Sequence, residues 1–161
     1  MVITYQTIGI INSPFKNIEK MPIQPGGALG IAGSIELDEK YVPALKDLEG
    51  FSHIYILYHF HRVNGWKPVV TPFLDNTARG LFATRAPKRP NPIGLSVVRL
   101  LGIKGNQLKI ENVDVLDGTP LLDIKPYLSD FDHFKETSSG WLQDVSEEVK
   151  HTRSDQRFKD D

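Results

Sequence analysis

Three prolines within six positions, Pro87, Pro90 and Pro92, constrain this chain more than any other feature. They lie in residues 83–94, ATRAPKRPNPIG, interleaved with Arg85, Lys88 and Arg89. Each proline ring fixes its own φ, removes a backbone donor and pushes the preceding residue out of the helical region. The segment can therefore be neither a helix nor an inner strand, yet its conformation is narrowly set. A stiff, basic, donor-poor connection of this kind is expected to shape a site.

Around it the chain reads as short strands. Residues 2–11 are rich in Val, Ile, Thr and Tyr and stop at Asn12-Ser13-Pro14, which predicts a first strand. A long loop punctuated by Pro22, Pro25, Gly26 and Gly27 follows over 14–28. Residues 29–37 predict a second strand, whose two glycines imply a bend or a close backbone approach. The one helical window is 42–48, with Pro43 in its first turn and Gly50 as a stop. Strands are then expected at 52–61, 80–84 and 93–103, at 107–115 after a Gly105-Asn106 turn, and at 121–125. Many short strands with a single short helix predict an all-β, single-domain β-barrel or strongly curved sheet with irregular loops. Residues 1–145 form that expected domain, and 146–161 a charged, mobile tail.

Composition narrows the function. The chain has no cysteine, which excludes disulfides, thiolate catalysis and cysteine zinc sites. Its net charge is -1, so any nucleic-acid binding must come from a local basic face. Without a long apolar stretch or the regions of a signal peptide, a soluble cytoplasmic protein with no membrane partner is expected. Gly26-Gly27-Ala28-Leu29-Gly30 fails the GxGxxG spacing, and neither a Walker loop nor a GxSxG elbow is present. His59 and His61 share a strand face at metal-ligand spacing, but no third ligand supports them, and no metal is expected.

Two stretches carry chemistry. Lys67, Arg79, Arg85, Lys88, Arg89 and Arg99 gather in a nearly neutral chain, which suits an anionic partner such as phosphate. Asn91 sits between two prolines with its amide held in a fixed direction. Downstream, LDGTPLLDIKPY (116–127) makes a tight turn at Asp117-Gly118, after which Asp123, Lys125 and Tyr127 alternate onto one strand face. On residue grounds alone that face is equally a surface Asp–Lys pair or part of a site.

FATRAPKRPNPIGLS followed by DVLDGTPLLDIKPY resembles the TsaA-like family, the TrmO type of S-adenosylmethionine-dependent tRNA methyltransferase. IGIINSPFK, Pro22-Ile23-Gln24 and GFSHIYILYHFH also match, so the resemblance covers roughly residues 6–128. It implies a homodimeric β-barrel that binds S-adenosylmethionine outside any Rossmann fold. The implied reaction is N6-methylation of threonylcarbamoyladenosine beside the anticodon of threonine tRNA. Cofactor contacts would fall at Pro22, Ile23, Gln24, His61, Arg62, Arg85 and Leu95, and at the turn Leu116, Asp117, Gly118 and Thr119. The chain departs from the family at Ile23, where an arginine is usual; Arg62 or Lys20 would have to supply that cation. Bacterial members also continue into a C-terminal domain beyond the region of resemblance.

The sulfonium carries its own activated methyl, so the protein mainly has to place it in line with the acceptor. The acceptor nitrogen belongs to a urea-like group and is a poor nucleophile until its proton is removed. Asp117 or Asp123 is the expected base, with Tyr127 or Lys125 orienting it and Asn91 positioning the substrate. Lys67, Arg79, Lys88, Arg89 and Arg99 are the candidates for phosphate contacts on the tRNA. The competing readings are a small-molecule acceptor on the same fold, and a non-catalytic module that binds S-adenosylmethionine or RNA.

Overall fold

The computed structural model describes residues 1–19, 21–22, 27–72 and 76–143. Six strands build its core: β1 (Gly9–Asn12), β2 (Ala32–Leu37), β3 (His53–His59), β6 (Ile93–Lys104), β7 (Gln107–Glu111) and β8 (Thr119–Pro126). They close into an antiparallel barrel in the order β1-β2-β7-β6-β3-β8. Two further short strands, β4 (Val69–Val70) and β5 (Arg79–Gly80), pair with each other inside the connection from β3 to β6. The all-β barrel expected from the sequence is the fold observed.

Alternation along the strands explains the core. Ile54, Ile56 and Tyr58 of β3 point inward, as do Ser96, Val98 and Leu100 of β6 and Leu108 and Ile110 of β7. Ile11, Ile35, Leu37 and Leu121 complete the lining. Each such apolar side chain contributes roughly 1.5–3 kcal/mol on burial. Val113 and Val115, which follow β7, are also buried in this cluster.

Register fixes which loops meet. Asn12 pairs with Ser34, Ile11 with Thr119, Ala32 with Glu111 and His59 with Ile93. The connections 13–31, 60–92 and 112–118 therefore leave from one end of the barrel, called here the loop end. The opposite end receives residues 38–52, the Gly105-Asn106 turn and the chain leaving β8.

Two glycines follow from close approach. Gly94 lies opposite Tyr58, and a Cβ there would sit 2.1 Å from the ring's Cε2. The glycine that ends the proline motif is thus demanded by an aromatic ring on the next strand. At Gly33 a Cβ would stand 2.7 Å from Val113 Cγ2 and 2.8 Å from the Asn12 carbonyl oxygen, the close backbone approach expected of this strand.

Several element expectations need correction. The first strand pairs only from Gly9, and residues 1–7 are exposed. The backbone bonding stops at Ile8, whose N–H donates to the Leu121 carbonyl and whose carbonyl accepts from Asp38 N–H. The window 42–48 is not an α-helix but part of a 3-10 segment, Glu39–Leu45, followed by a second one at Leu48–Gly50. Pro43 lies inside the first segment, where it has no N–H to donate, and Asp47 at φ 67° breaks the run. The strand expected over 80–84 reduces to Arg79–Gly80 and then tightens into the 3-10 turn Leu81–Ala83. The one α-helical turn among the described residues is Ser129–Asp132. Beyond it, Trp141 Nε1 donates to the Ala83 carbonyl at 2.8 Å, tying residues past the barrel to the start of the proline segment. The expected tail 146–161 lies outside the described residues. No described helix is long and apolar enough to cross a membrane.

Gly94→Ala is expected to cost about 1–3 kcal/mol through overpacking against Tyr58. Gly102→Ala in the same strand meets open space and should change stability by less than about 0.5 kcal/mol. Urea midpoints of the two variants check this.

Candidate functional site at the loop end of the barrel

Residues 112–118 organise this end. Asn112 at φ 68° turns the chain away from β7, and Val113 N–H donates to the Ile31 carbonyl. Asp117 N–H reaches the Phe15 carbonyl, and Gly118 N–H the Ile11 carbonyl. Ser13 Oγ donates to the Val115 carbonyl at 2.7 Å, and Thr119 Oγ1 to the Leu116 carbonyl at 2.6 Å. Irregular backbone is thus satisfied by the neighbouring connection and by Ile11 at the end of β1.

Asp117 is bound into this stitching. Its Oδ1 accepts from Ser13 N–H at 2.9 Å, and its Oδ2 pairs with Lys16. The Lys16 hydrogen bond, then the Ser13 amide, holds the carboxyl below the usual carboxylate range. A carboxylate held ionised in this way is a weak proton acceptor. Asp114 has a different environment. Its Oδ1 accepts from Ser96 Oγ at 2.7 Å, and Ser96 Oγ lies 3.1 Å from the Tyr58 hydroxyl inside the barrel. Burial pushes the Asp114 carboxyl up to about 6, against the lowering effects of Ser96, its own backbone N–H and Arg85. Burial, followed by the charge of Asp114, also raises the Tyr58 hydroxyl above its ordinary value.

The connection 60–92 brings His61, Arg62 and Arg85 to this end. Phe60 N–H donates to the Pro92 carbonyl, and the Phe60 ring meets the Tyr58 ring edge-on with centroids 5.4 Å apart. Burial, then Arg62 and His59, lowers the pKa of His61, so its imidazole is neutral at pH 7. Arg89 turns back into its own loop and donates to the carbonyls of Thr84 at 3.0 Å and Ala86 at 3.3 Å. That clasp supplies donors where the prolines have none. Asn91 is exposed just before β6.

The residues selected from the sequence divide between two places. Pro22, His61, Arg62, Arg85, Asn91, Leu116, Asp117, Gly118 and Thr119 belong to the connections and strand ends of the loop end. Ile23 and Gln24 lie outside the described residues, as does Lys20. Leu95, Asp123, Lys125 and Tyr127 stand instead on the outer wall of β6, β3 and β8. There Leu57 is the ladder partner of both Leu95 and Asp123, and Tyr55 is that of Lys125. Asp123 pairs with Lys125 at 2.8 Å, and Tyr127 packs its ring on Tyr55 and His53. The phosphate candidates are also spread. Lys67 is exposed in the long connection, Arg79 lies over the Trp141 ring, and Arg99 meets Glu111 on the wall. Lys88 is half-buried in the proline segment.

Two grooves of about 590 and 490 Å³ open at the opposite end, beside the 3-10 segments. The second has walls that are mainly apolar, including Ile8, Leu37, Tyr41 and Phe51, and Asp123 is the one sequence-selected residue that lines it. Neither groove touches the proline segment or the 112–118 stitching, which carries Asp114 and Asp117. No group of three or more His, Asp or Glu among the described residues could hold a metal ion.

Asp114, Ser96 and Tyr58 were not singled out from the sequence. The available signal was a carboxylate between two valines whose alternation sends both into the core, which puts Asp114 against the barrel mouth.

Residues 10–133 match the model of the tRNA-methyltransferase O N-terminal domain. The chain belongs to the tRNA-methyltransferase O family. It is 49% identical over 158 residues to a probable S-adenosyl-L-methionine-binding protein of Pyrococcus abyssi, covering 98% of this chain and 86% of that one. It is also 39% identical over 149 residues to the tRNA (adenine(37)-N6)-methyltransferase of Escherichia coli, covering 86% of this chain and 63% of that protein. The crystal structure of TrmO from Pseudomonas aeruginosa superposes with a TM-score of 0.74 at 38% identity, over 88% of this chain and 63% of that one. This family member thus spans less than two thirds of both bacterial relatives.

Asp117→Asn should remove the Lys16 pair, an exposed contact worth less than about 1 kcal/mol. Because the folded carboxyl is held low, its contribution is present above the unfolded carboxylate range and lost as pH falls through the folded value. Wild type should exceed the variant in urea stability at pH 7, and the gap should close on acidification.

Proposed function

We propose that this chain is an S-adenosylmethionine-dependent tRNA (adenine-N6)-methyltransferase whose active surface is the loop end of the barrel. Its proposed acceptor is N6 of threonylcarbamoyladenosine beside the anticodon of threonine tRNA. The observation that supports this reading most is the convergence of three irregular connections on one end of a closed barrel. The names of the Escherichia coli and Pyrococcus abyssi relatives agree with it.

The donor set at this end fits the cofactor. Arg62 and Arg85 offer cations for a carboxylate, and the backbone carbonyls of 116–119 offer acceptors for an ammonium and a purine amino group. His61 stays neutral, so it does not repel a sulfonium cation. Bound there, the cofactor supplies an activated methyl group. The chain's own work is to hold the reactants in line and keep the loops in place before they arrive. Proline rings, the Arg89 clasp and the Ser13–Val115 and Asp117–Lys16 ties all serve that rigidity.

The tRNA backbone would meet Lys67, an exposed cation of the long connection, rather than Arg89 or Arg99, which have partners of their own. The chain would act as a homodimer. Support for that comes from the outer side of β6, where Ile93, Leu95 and Leu101 are 37%, 54% and 49% exposed. Leu95 fits such a contact better than it fits the loop end.

Incubation with labelled S-adenosylmethionine and total tRNA, followed by digestion to nucleosides, tests this reading. Labelled N6-methyl-threonylcarbamoyladenosine is the expected product, and label on another nucleoside would contradict the acceptor. Calorimetric binding of the cofactor with no transfer would point to a non-catalytic module or a small-molecule acceptor. Binding of tRNA should weaken steeply with salt, and Lys67→Ala should reduce the slope of log K against log salt by about 1.

A further inference from the structure

We infer that Asp114 is the group that accepts the proton from the nitrogen being methylated, with Ser96 and Tyr58 positioning it. This inference rests on the methyltransferase reading above and assigns the base within it.

Three independent features converge on Asp114. First, its orientation is set from inside the barrel. Ser96 is 2% exposed and Tyr58 5%, and together they form a chain from the core to one carboxylate oxygen, Tyr58 Oη to Ser96 Oγ to Asp114 Oδ1. Gly94 leaves room for the Tyr58 ring on which the chain depends. Ser96 Oγ is the one side-chain donor to the Asp114 carboxylate among the described residues. Second, the competing carboxylates are committed elsewhere. Asp117 is held by Lys16 and Ser13, and Asp123 by Lys125 on the outer wall. Third, Asp114 lies between two buried valines in a partly buried position, where an ionisable group without a direct cationic partner is costly. Such groups concentrate where chemistry uses them.

The electrostatics agree with this geometry. The groups whose charge or hydrogen bond reaches Asp114 are Arg85 from the long connection, Ser96 from β6 and Tyr58 from β3. Burial outweighs the Arg85 and Ser96 contributions and leaves a carboxyl that is ionised at pH 7 yet a stronger base than an exposed aspartate. In the proposed step Asp114 takes the proton from N6, and the electron pair of that N–H bond stays on nitrogen. A nitrogen pair forms the new bond to the methyl carbon. The old methyl–sulfur pair goes to sulfur, leaving a neutral thioether. Arg85 remains protonated throughout.

The test uses Asp114→Asn, Asp114→Glu and Ser96→Ala in the full chain, with single-turnover methyl transfer to tRNA measured against pH. In wild type the rate should rise with pH and level off above the Asp114 value of about 6. Asp114→Asn should lose at least about 100-fold in rate and lose the inflection, while binding S-adenosylmethionine calorimetrically as wild type does. Asp114→Glu should recover part of the rate. Since the Ser96 hydrogen bond lowers the Asp114 value, Ser96→Ala should move the inflection to higher pH, a shift that a merely structural role would not produce. Carboxyl-carbon NMR of the protein without cofactor should show the same shift directly. Asp114→Asn with wild-type rates, or an Asn variant that is inactive because it no longer binds the cofactor, would overturn the inference alone. A wild-type chain that binds cofactor but methylates no tRNA would overturn the methyltransferase reading itself.

Discussion

Closure of the barrel by β1 against β8 is the constraint on which the rest of the molecule depends. Only three residue pairs make it, Gly9 with Leu121, Ile10 with Pro120 and Ile11 with Thr119. They join the start of the chain to its last barrel strand and leave the barrel without a free edge. They also fix what stands next to what beyond the strands. Ser13 follows β1 directly, and the Asp117-Gly118 turn leads directly into β8, so the same register that closes the sheet brings these two connections into hydrogen-bonding range. The stitching of the loop end extends the barrel closure by another turn of chain.

Much of the barrel was legible as short apolar and aromatic runs bounded by turn residues, with 52–61 the plainest of them. Tyr55 and Leu57 are as apolar as Ile54, Ile56 and Tyr58, so which face of β3 points inward emerges only from the burial of the folded strand. The glycines of residues 29–37 and 94 were visible too, although the second could not be assigned to the Tyr58 ring without the pairing. Ends of elements were read less well, and for physical reasons. Residues 2–7 have strand composition but no neighbour, and Pro43 turns an α-helical window into 3-10 geometry. A bulge between Leu57 and Tyr58 shifts β8, but Asp123, Lys125 and Tyr127 still share a face, as their spacing implied. That face is the outer wall.

Charge was harder to read than shape. In sequence the acidic residues of DVLDGTPLLD look interchangeable, and the Asp-Gly turn draws attention to Asp117. The structure separates them by what each one touches. Asp117 and Asp123 sit against lysines in solvent, whereas Asp114 is held by a serine that reaches out from the core. The basic residues divide similarly. Arg89 serves its own loop, and Arg85 extends its charge towards Asp114. A local excess of arginine and lysine thus resolves into a member that ties its own loop and members that stay exposed, a distinction that depends on carbonyl positions and not on composition.

The central claim is that the loop end, and not the grooves beside the 3-10 segments, receives the methyl donor. Amide chemical-shift mapping with S-adenosylhomocysteine tests it most directly. Perturbations are predicted at His61, Arg62, Arg85, Asp114, Asp117 and Gly118. Perturbations confined to Leu45, Lys46, Asp47, Leu48 and Ile124, the lining of the opposite groove, would contradict it.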